Sequence, residues 1–336
     1  INSFALGILS SMVKKYLSAI LLFSLILFLL CECRNNVTRK DSSGVYTIAT
    51  LKGPSSMGMI KLIDSLNSGG PHSVNAIILD EPLQVRKMMI DRTADFAILP
   101  TTMAAITYNK GFGYRLIAIP VWGTLYLVGS NGTVKTWNDL RGRRVYVMAR
   151  GMTPDELFRY LLRKNGIDPE KDITLDYSFP THIDLANAVG AGRAELAVLS
   201  EPLASMVMKN NKTIRRIFSF NEEWAKFEGI PIAETAFMAK EEMLRNNRDI
   251  IEKLLSSYEA STNWVNLYPD SAATLIVKYG ILPDYESAFN AIPLSNLKFA
   301  RAKDVKKEVN EYLSVFYRMN PDIVGGKVPD ENFIYQ

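Results

Sequence analysis

From Tyr46 onward the chain alternates short apolar runs with stretches in which apolar positions return every third or fourth residue. Tyr46–Leu51 predicts a strand, Lys52-Gly53-Pro54 a turn, and Met57, Met59, Ile60, Ile63 and Leu66 the buried stripe of a helix. A strand at Val74–Leu79, a helix at Pro82–Ile90, a strand at Phe96–Leu99, a helix at Thr101–Tyr108 and a strand at Leu116–Val121 follow. Strands that are apolar along their whole length must be covered on both faces. With helices between them, that requirement predicts a mostly parallel α/β sheet flanked by helices.

The alternation restarts after a Gly/Asn break at Gly129–Gly132. Strands are predicted at Arg144–Met148, Ile173–Tyr177, Leu196–Leu199 and Ile214–Ser219, with helices at Pro154–Lys164, His182–Val189 and Pro202–Met208. From Lys240 on, nearly all of the pattern is helical, Ile250–Leu267 being the longest stretch. The halves also match in kind. Ala94-Asp95-Phe96-Ala97-Ile98-Leu99 parallels Ala194-Glu195-Leu196-Ala197-Val198-Leu199, and Leu51-Lys52-Gly53 parallels Ala149-Arg150-Gly151. Two similar α/β lobes are therefore expected. A length of 336 residues suits that reading, since single cores stop growing near about 250–300 residues.

Upstream, Met12-Val13-Lys14-Lys15 precedes an apolar run from Tyr16 to Leu30, and Cys31-Glu32-Cys33-Arg34 ends it. A basic start and an apolar run shorter than the roughly 20 residues of a bilayer span predict an export signal. A single-pass anchor beginning near Phe4 is the alternative. These two cysteines are the chain's whole supply, so no disulfide framework is expected. Their place resembles the lipobox of bacterial lipoproteins, which makes Cys31 or Cys33 the expected acylation site. Leu29-Leu30 and Glu32 depart from the small residues of that motif. The segment 1–33 is thus expected to be signal and anchor, 34–44 a polar tether, and the protein exported, periplasmic or on the cell surface, and membrane-anchored.

Composition narrows the partners. A net charge of +4, 48% hydrophobic and 22% charged residues are ordinary for a folded domain, and the absence of long basic runs argues against nucleic acid. In open parallel sheets ligands sit beyond the carboxyl ends of the strands. Lys52, Gly53, Ser55 and Ser56 follow the first strand; Thr101 and Thr102 follow the third. In the second half, Gly151-Met152-Thr153-Pro154 opens a helix, with Thr153 expected as its N-cap, Pro154 first in the helix and Glu156 completing a capping box. Ser200-Glu201-Pro202 follows the strand that ends at Leu199. Hydroxyls and free N–H groups at facing helix ends can hold a polar or anionic group, though each alone also suits an ordinary cap. Lys52 and Arg150 would put one positive charge on each jaw, and Trp122 is an aromatic plate or a core residue. His72 and His182 are far apart, and no zinc spacing, phosphate loop or nucleophile elbow is present. No catalysis, metal or cofactor is expected.

Lys52-Gly53-Pro54-Ser55-Ser56-Met57-Gly58, Ala94–Thr101, Gly151-Met152-Thr153-Pro154 and Ser200-Glu201-Pro202 resemble the substrate-binding components of nitrate/sulfonate/taurine-type (NitT/TauT) ABC importers. The resemblance runs from about Tyr46 to about Tyr317. It implies a two-lobed type II periplasmic-binding fold with crossovers expected near Leu127–Lys135 and Gly229–Ala239. Lobe 1 would then comprise 45–128 and 237–336, and lobe 2 would comprise 129–236. It further implies a monomer that captures a small polar or heteroaromatic molecule outside the cytoplasm. Delivery would be to an ABC permease in the cytoplasmic membrane, after hinge closure. Ligands of that family include nitrate, alkylsulfonates, bicarbonate and heteroaromatic vitamins or their precursors. A branch that makes the thiamine pyrimidine uses a cysteine-rich segment, which this chain lacks past Cys33. A surface interaction lipoprotein that kept the fold without transport is the competing expectation.

Overall fold

A computed structural model describes residues 45–68, 74–130, 132 and 134–336. The expected export segment and tether, Cys31, Cys33 and His72 lie outside the described residues. The strands are β1 (Tyr46–Leu51), β2 (Val74–Leu79), β3 (Phe96–Pro100), β4 (Tyr114–Trp122), β5 (Leu125–Ser130), β6 (Arg144–Tyr146), β7 (Thr174–Asp176), β8 (Leu196–Ser200), β9 (Ile214–Ser219), β10 (Ala233–Lys240) and β11 (Leu297–Arg301). Seven helices matter most for the site: α1 (Pro54–Gly58), α2 (Ile60–Asn67), α3 (Pro82–Ile90), α4 (Thr101–Asn109), α5 (Thr153–Lys164), α6 (His182–Gly190) and α7 (Leu203–Asn210). They are followed by α8 (Phe220–Glu228), α9 (Glu241–Asn246), α10 (Arg248–Leu267), α11 (Pro269–Lys278), α12 (Tyr285–Ala291) and α13 (Lys306–Met319).

Two mixed sheets result, in the orders β11-β4-β10-β3-β1-β2 and β7-β6-β8-β5-β9. β1 lies parallel to β2 from Tyr46↔Val74 through Leu51↔Leu79, and parallel to β3. In the second sheet β6 is parallel to both β7 and β8. Each sheet carries one inserted antiparallel strand. β10 runs between β3 and β4, and β5 runs between β8 and β9. Each inserted strand comes directly off a crossover, so each lobe is closed by chain arriving from the other.

That exchange moves the boundaries read from the sequence. The first crossover was expected at 127–135, but β5 already belongs to the second sheet from Leu125, pairing Leu125 with Ser200. The chain passes over at Gly123-Thr124 instead. β4 and β5 are separated by those two residues alone, so their apolar runs merge in the sequence, and the break at Gly129–Gly132 marks the end of β5. The second passage occupies 229–232, after which β10 is a strand of the first sheet rather than linker.

Burial follows the apolar pattern. Ile48, Phe96, Ile98 and Phe237 pack on one side of the first sheet against Tyr258 of α10, and Ala97 and Leu99 face the other. Trp137 stacks on Phe218 (4.6 Å between centroids) and Phe158 on Phe220 (5.6 Å) within the second lobe. Trp224 of α8 lies against Tyr312 and Phe316 of α13, a fully buried contact that fixes the second passage to the C-terminal helix. Burying a side chain of this size contributes about 3 kcal/mol.

Candidate functional site

The parallel strands of both sheets end toward one another, so the turns that follow them meet. After β1, Gly53 takes φ 146° and ψ −149°, a region in essence open to glycine alone. Its N–H donates to Ser56 Oγ (3.1 Å), and that hydroxyl donates back to Gly53 O (3.0 Å). Ser55 Oγ donates to Leu51 O (3.4 Å). Both serines thus brace the turn, and Lys52 stands exposed beside it. After β3, Thr101 and Thr102 open α4, both buried.

On the facing lobe, α5 begins one residue earlier than the sequence predicts. Met152 is its N-cap, Thr153 and Pro154 fill the first two helical positions, and the expected capping box does not form. Asp155 does the capping work instead: its Oδ2 accepts the Gly151 N–H (2.7 Å), while Oδ1 receives Arg159 Nε (2.9 Å) and Tyr177 OH (2.7 Å). Arg150 is exposed, with its guanidinium 5.2 Å from the centre of the Tyr177 ring. The Glu201–Pro202 peptide is cis. Glu201 is buried, and its carboxylate receives Arg216 Nε (3.0 Å), Arg216 Nη2 and the Ser205 N–H (3.2 Å). Burial pushes its pKa up, and the Arg216 guanidinium acts against that shift. Trp122 is buried and its indole N–H donates to Lys298 O (2.8 Å) on β11.

Freed from cap duty, Thr153 Oγ1 shares a hydrogen bond of 2.7 Å with Thr102 Oγ1 of the opposite lobe. Nearby, a Cβ placed on Gly53 would lie 3.7 Å from Pro202 Cδ, so these two turns are also in apposition. Beside this contact two buried hydroxyls, Thr101 Oγ1 and Thr235 Oγ1, have no hydrogen-bond partner among the described residues, although buried hydroxyls are normally paired. Thr235 pairs in register with Pro100, the residue before Thr101, so both orphans belong to the same corner of the first sheet.

Sequence reasoning did not reach several residues that hold the lobes together. Thr124 sends its N–H and its hydroxyl (2.6 Å) to the carboxylate of Glu234, tying the first passage to the second. Burial pushes Glu234 up from the ordinary carboxylate range, against those two hydrogen bonds. Gly123 N–H donates to Ile232 O (3.0 Å), and a Cβ on Gly123 would fall 2.5 Å from Asn221 Oδ1, which leaves room for glycine only. Lys209 of α7 meets Asp284 ahead of α12 (2.6 Å) and Asn320 Nδ2 donates to Glu156 (3.2 Å). Lysines, acids and amides at such spacing look like solvated surface in a sequence, and only the pairing of distant segments gives them a role.

The chemistry available here is polar recognition. His182 sits at the start of α6, 3.4 Å through Nδ1 from Ser200 Oγ, and burial pushes its imidazole down to about 4. No carboxylate hydrogen-bonds that ring among the described residues. No cluster of three His, Cys, Asp or Glu able to hold a metal occurs among the described residues. No helix among them is long and apolar enough to cross a membrane.

Comparison with known proteins agrees with this architecture. Residues 55–275 match the family described as ABC transporter, phosphonate, periplasmic substrate-binding protein. YtlA of Bacillus subtilis strain 168, a putative binding protein by name, is 32% identical over 143 residues, spanning 42% of this chain and 40% of YtlA, so the match covers about two fifths of that relative. A crystal structure of an ABC transporter from Parabacteroides distasonis superposes with a TM-score of 0.76 at 27% identity, over 87% of this chain and 99% of that one. The periplasmic aliphatic sulphonate binding protein SsuA from Escherichia coli gives 0.70 at 17% identity, over 87% and 92%, which is a likeness of fold. With two lobes of the periplasmic-binding type meeting at threonine and glycine turns, and a match running from Ser55 on α1 to Leu275 on α11, the chain belongs to the ABC-transporter phosphonate family of periplasmic substrate-binding proteins.

Proposed function

We propose that this protein captures a small polar molecule between its lobes outside the cytoplasm and presents it to an ABC permease in the cytoplasmic membrane. The observation that carries the reading is the pair of buried, unpartnered hydroxyls, Thr101 and Thr235, beside the Thr102–Thr153 contact between lobes. A ligand oxygen or N–H there would satisfy groups that otherwise cost about 1–3 kcal/mol each. Lys52, Arg150 and the N–H groups opening α4 and α5 favour an oxyanion, phosphonate or sulfonate head. Gly53, Ser55, Ser56, Trp122 and Glu201 shape the surrounding turns. Binding, with no chemical step, is the whole activity. A lipid on Cys31 or Cys33 would hold the protein at the membrane as a monomer.

Isothermal titration of the full-length protein against phosphonates, sulfonates, nitrate, bicarbonate and pyrimidine vitamins tests this. One class should bind saturably, and Thr101→Val should weaken it about tenfold, since one hydrogen bond to a charged group contributes about 1.5–3 kcal/mol. Heats indistinguishable from dilution across the panel would leave a surface interaction lipoprotein as the better account. Mass spectrometry of the membrane-extracted protein would read acylation directly.

A further inference from the structure

A groove of about 630 Å³ opens along α7, over Ser205 and Met208, within the size range of small-molecule sites. One wall comes from α7, the turn after it and β9 of the second lobe, and contributes Met208, Lys209, Lys212 and Arg216. The other comes from α12 and the residues after it, with Phe289, Ile292 and Leu294. The walls are tied together by Lys209–Asp284 (2.6 Å) and by Tyr126 OH, which donates to Leu294 O (3.1 Å).

Three cations, Lys209, Lys212 and Arg216, line this groove, and no carboxylate is among its lining residues. Arg216 is engaged by Glu201, and Lys209 by Asp284 and Glu286. Lys212, exposed at the rim, has no ion-pair partner among the described residues. A lysine without an ion-pair partner of its own therefore faces an apolar wall that includes the exposed Phe289, itself stacked on Tyr285. That combination fits a small organic anion of single charge with an apolar body: the anion answers Lys212 and the body covers Phe289, Met208 and Leu294.

We infer that this groove is a second binding site, separate from the threonine-lined cleft, for a small organic monoanion with an apolar body, and that its occupation favours the closed lobes. The coupling is structural. An occupant that touches both walls binds better when they are together, and differential affinity of that kind is what shifts a conformational equilibrium. Arg216 strengthens the link, because its guanidinium lines the groove, lies 5.1 Å from the centre of the Tyr126 ring and bonds to Glu201 at the cleft turn. The inference does not depend on which ligand the cleft takes.

Octanoate is the probe, with uncharged 1-octanol as control, titrated into the full-length protein by calorimetry. One equivalent of octanoate should bind saturably, with octanol at least tenfold weaker. Lys212→Glu and Phe289→Ser, both at exposed positions, should each weaken octanoate at least tenfold while leaving the melting temperature unchanged. Thr101→Val should change it less than twofold. Small-angle scattering should show the radius of gyration falling on octanoate addition. Absent or non-saturable binding, equal binding of octanol, an unaltered affinity in Lys212→Glu, or a loss in Thr101→Val as large as in Lys212→Glu would overturn the site. An unchanged radius at saturation would overturn its link to closure.

Discussion

Glu234 is a half-buried carboxylate where the two passages meet, held by Thr124 and by no cation among the described residues. Burial raises its pKa above the unfolded value of about 4.3. A raised acid means that the folded chain keeps a proton over a range in which the unfolded chain has released it. The stability from this group is therefore fully present below about pH 4.3, and is lost as pH rises through the folded value. Glu234→Gln keeps an acceptor for the Thr124 N–H and removes the charge. Calorimetric melting should show the variant a few degrees more stable than the parent at pH 7–8, on the scale of about 1 kcal/mol per 2–4 °C, with the two converging near pH 4. A parent whose melting temperature is flat across that range would count against a buried charge at this position. Thr153 makes the complementary point about sequence reading. The capping signature there was legible, but the cap went to Met152 because Asp155 could take the Gly151 N–H, and the freed hydroxyl reached across to Thr102.

Among elements, the parallel strands at the centre of each sheet were legible because runs such as Phe96–Leu99 and Leu196–Leu199 are apolar and buried throughout. The inserted strands were not. β5 lies two residues beyond β4 and merges with it, while β10 (Ala233–Lys240) carries a threonine and a glutamate in its first half and reads as linker. Only the sheet order reveals them, since an antiparallel strand in the middle of a parallel sheet must come from distant chain. β9 was legible as a strand, but the partner of its Arg216 was not: the guanidinium crosses to α7 and neutralises Glu201 beneath the cleft turn. Removing one partner of a buried pair leaves the other charge stranded, at a cost of about 3–5 kcal/mol. Arg216→Ala should lower the urea midpoint accordingly, whereas the double variant Glu201→Gln with Arg216→Met should recover most of the loss. Equal destabilisation of the single and double variants would mean that Arg216 acts through packing against Tyr126 and not through charge.

At the scale of the whole molecule, the lobes touch through few polar contacts, and Lys209–Asp284 is one that can be tuned without disturbing either sheet. Asp284 also receives the Ser287 N–H (2.9 Å) as the N-cap of α12. Its carboxyl is held down to about 2, first by the hydrogen bond from Lys209 and then by the Ser287 N–H. A depressed acid contributes stability above its unfolded value of about 3.9, and loses it as pH falls toward 2. Both side chains remain partly exposed, so the ion pair itself contributes about 0.5–1 kcal/mol and is weakened by salt. Asp284→Asn retains a good N-cap residue and removes only the charge. The variant should therefore melt close to the parent, yet bind the cleft ligand about two- to fivefold more weakly, because the closed arrangement has lost one of its ties. In high salt, where exposed pairs are screened, the parent should fall to the variant's affinity. Titration at low and high salt checks both statements. An affinity that is the same for both proteins at low salt would show that closure draws its free energy elsewhere, with the Thr102–Thr153 contact the next place to test.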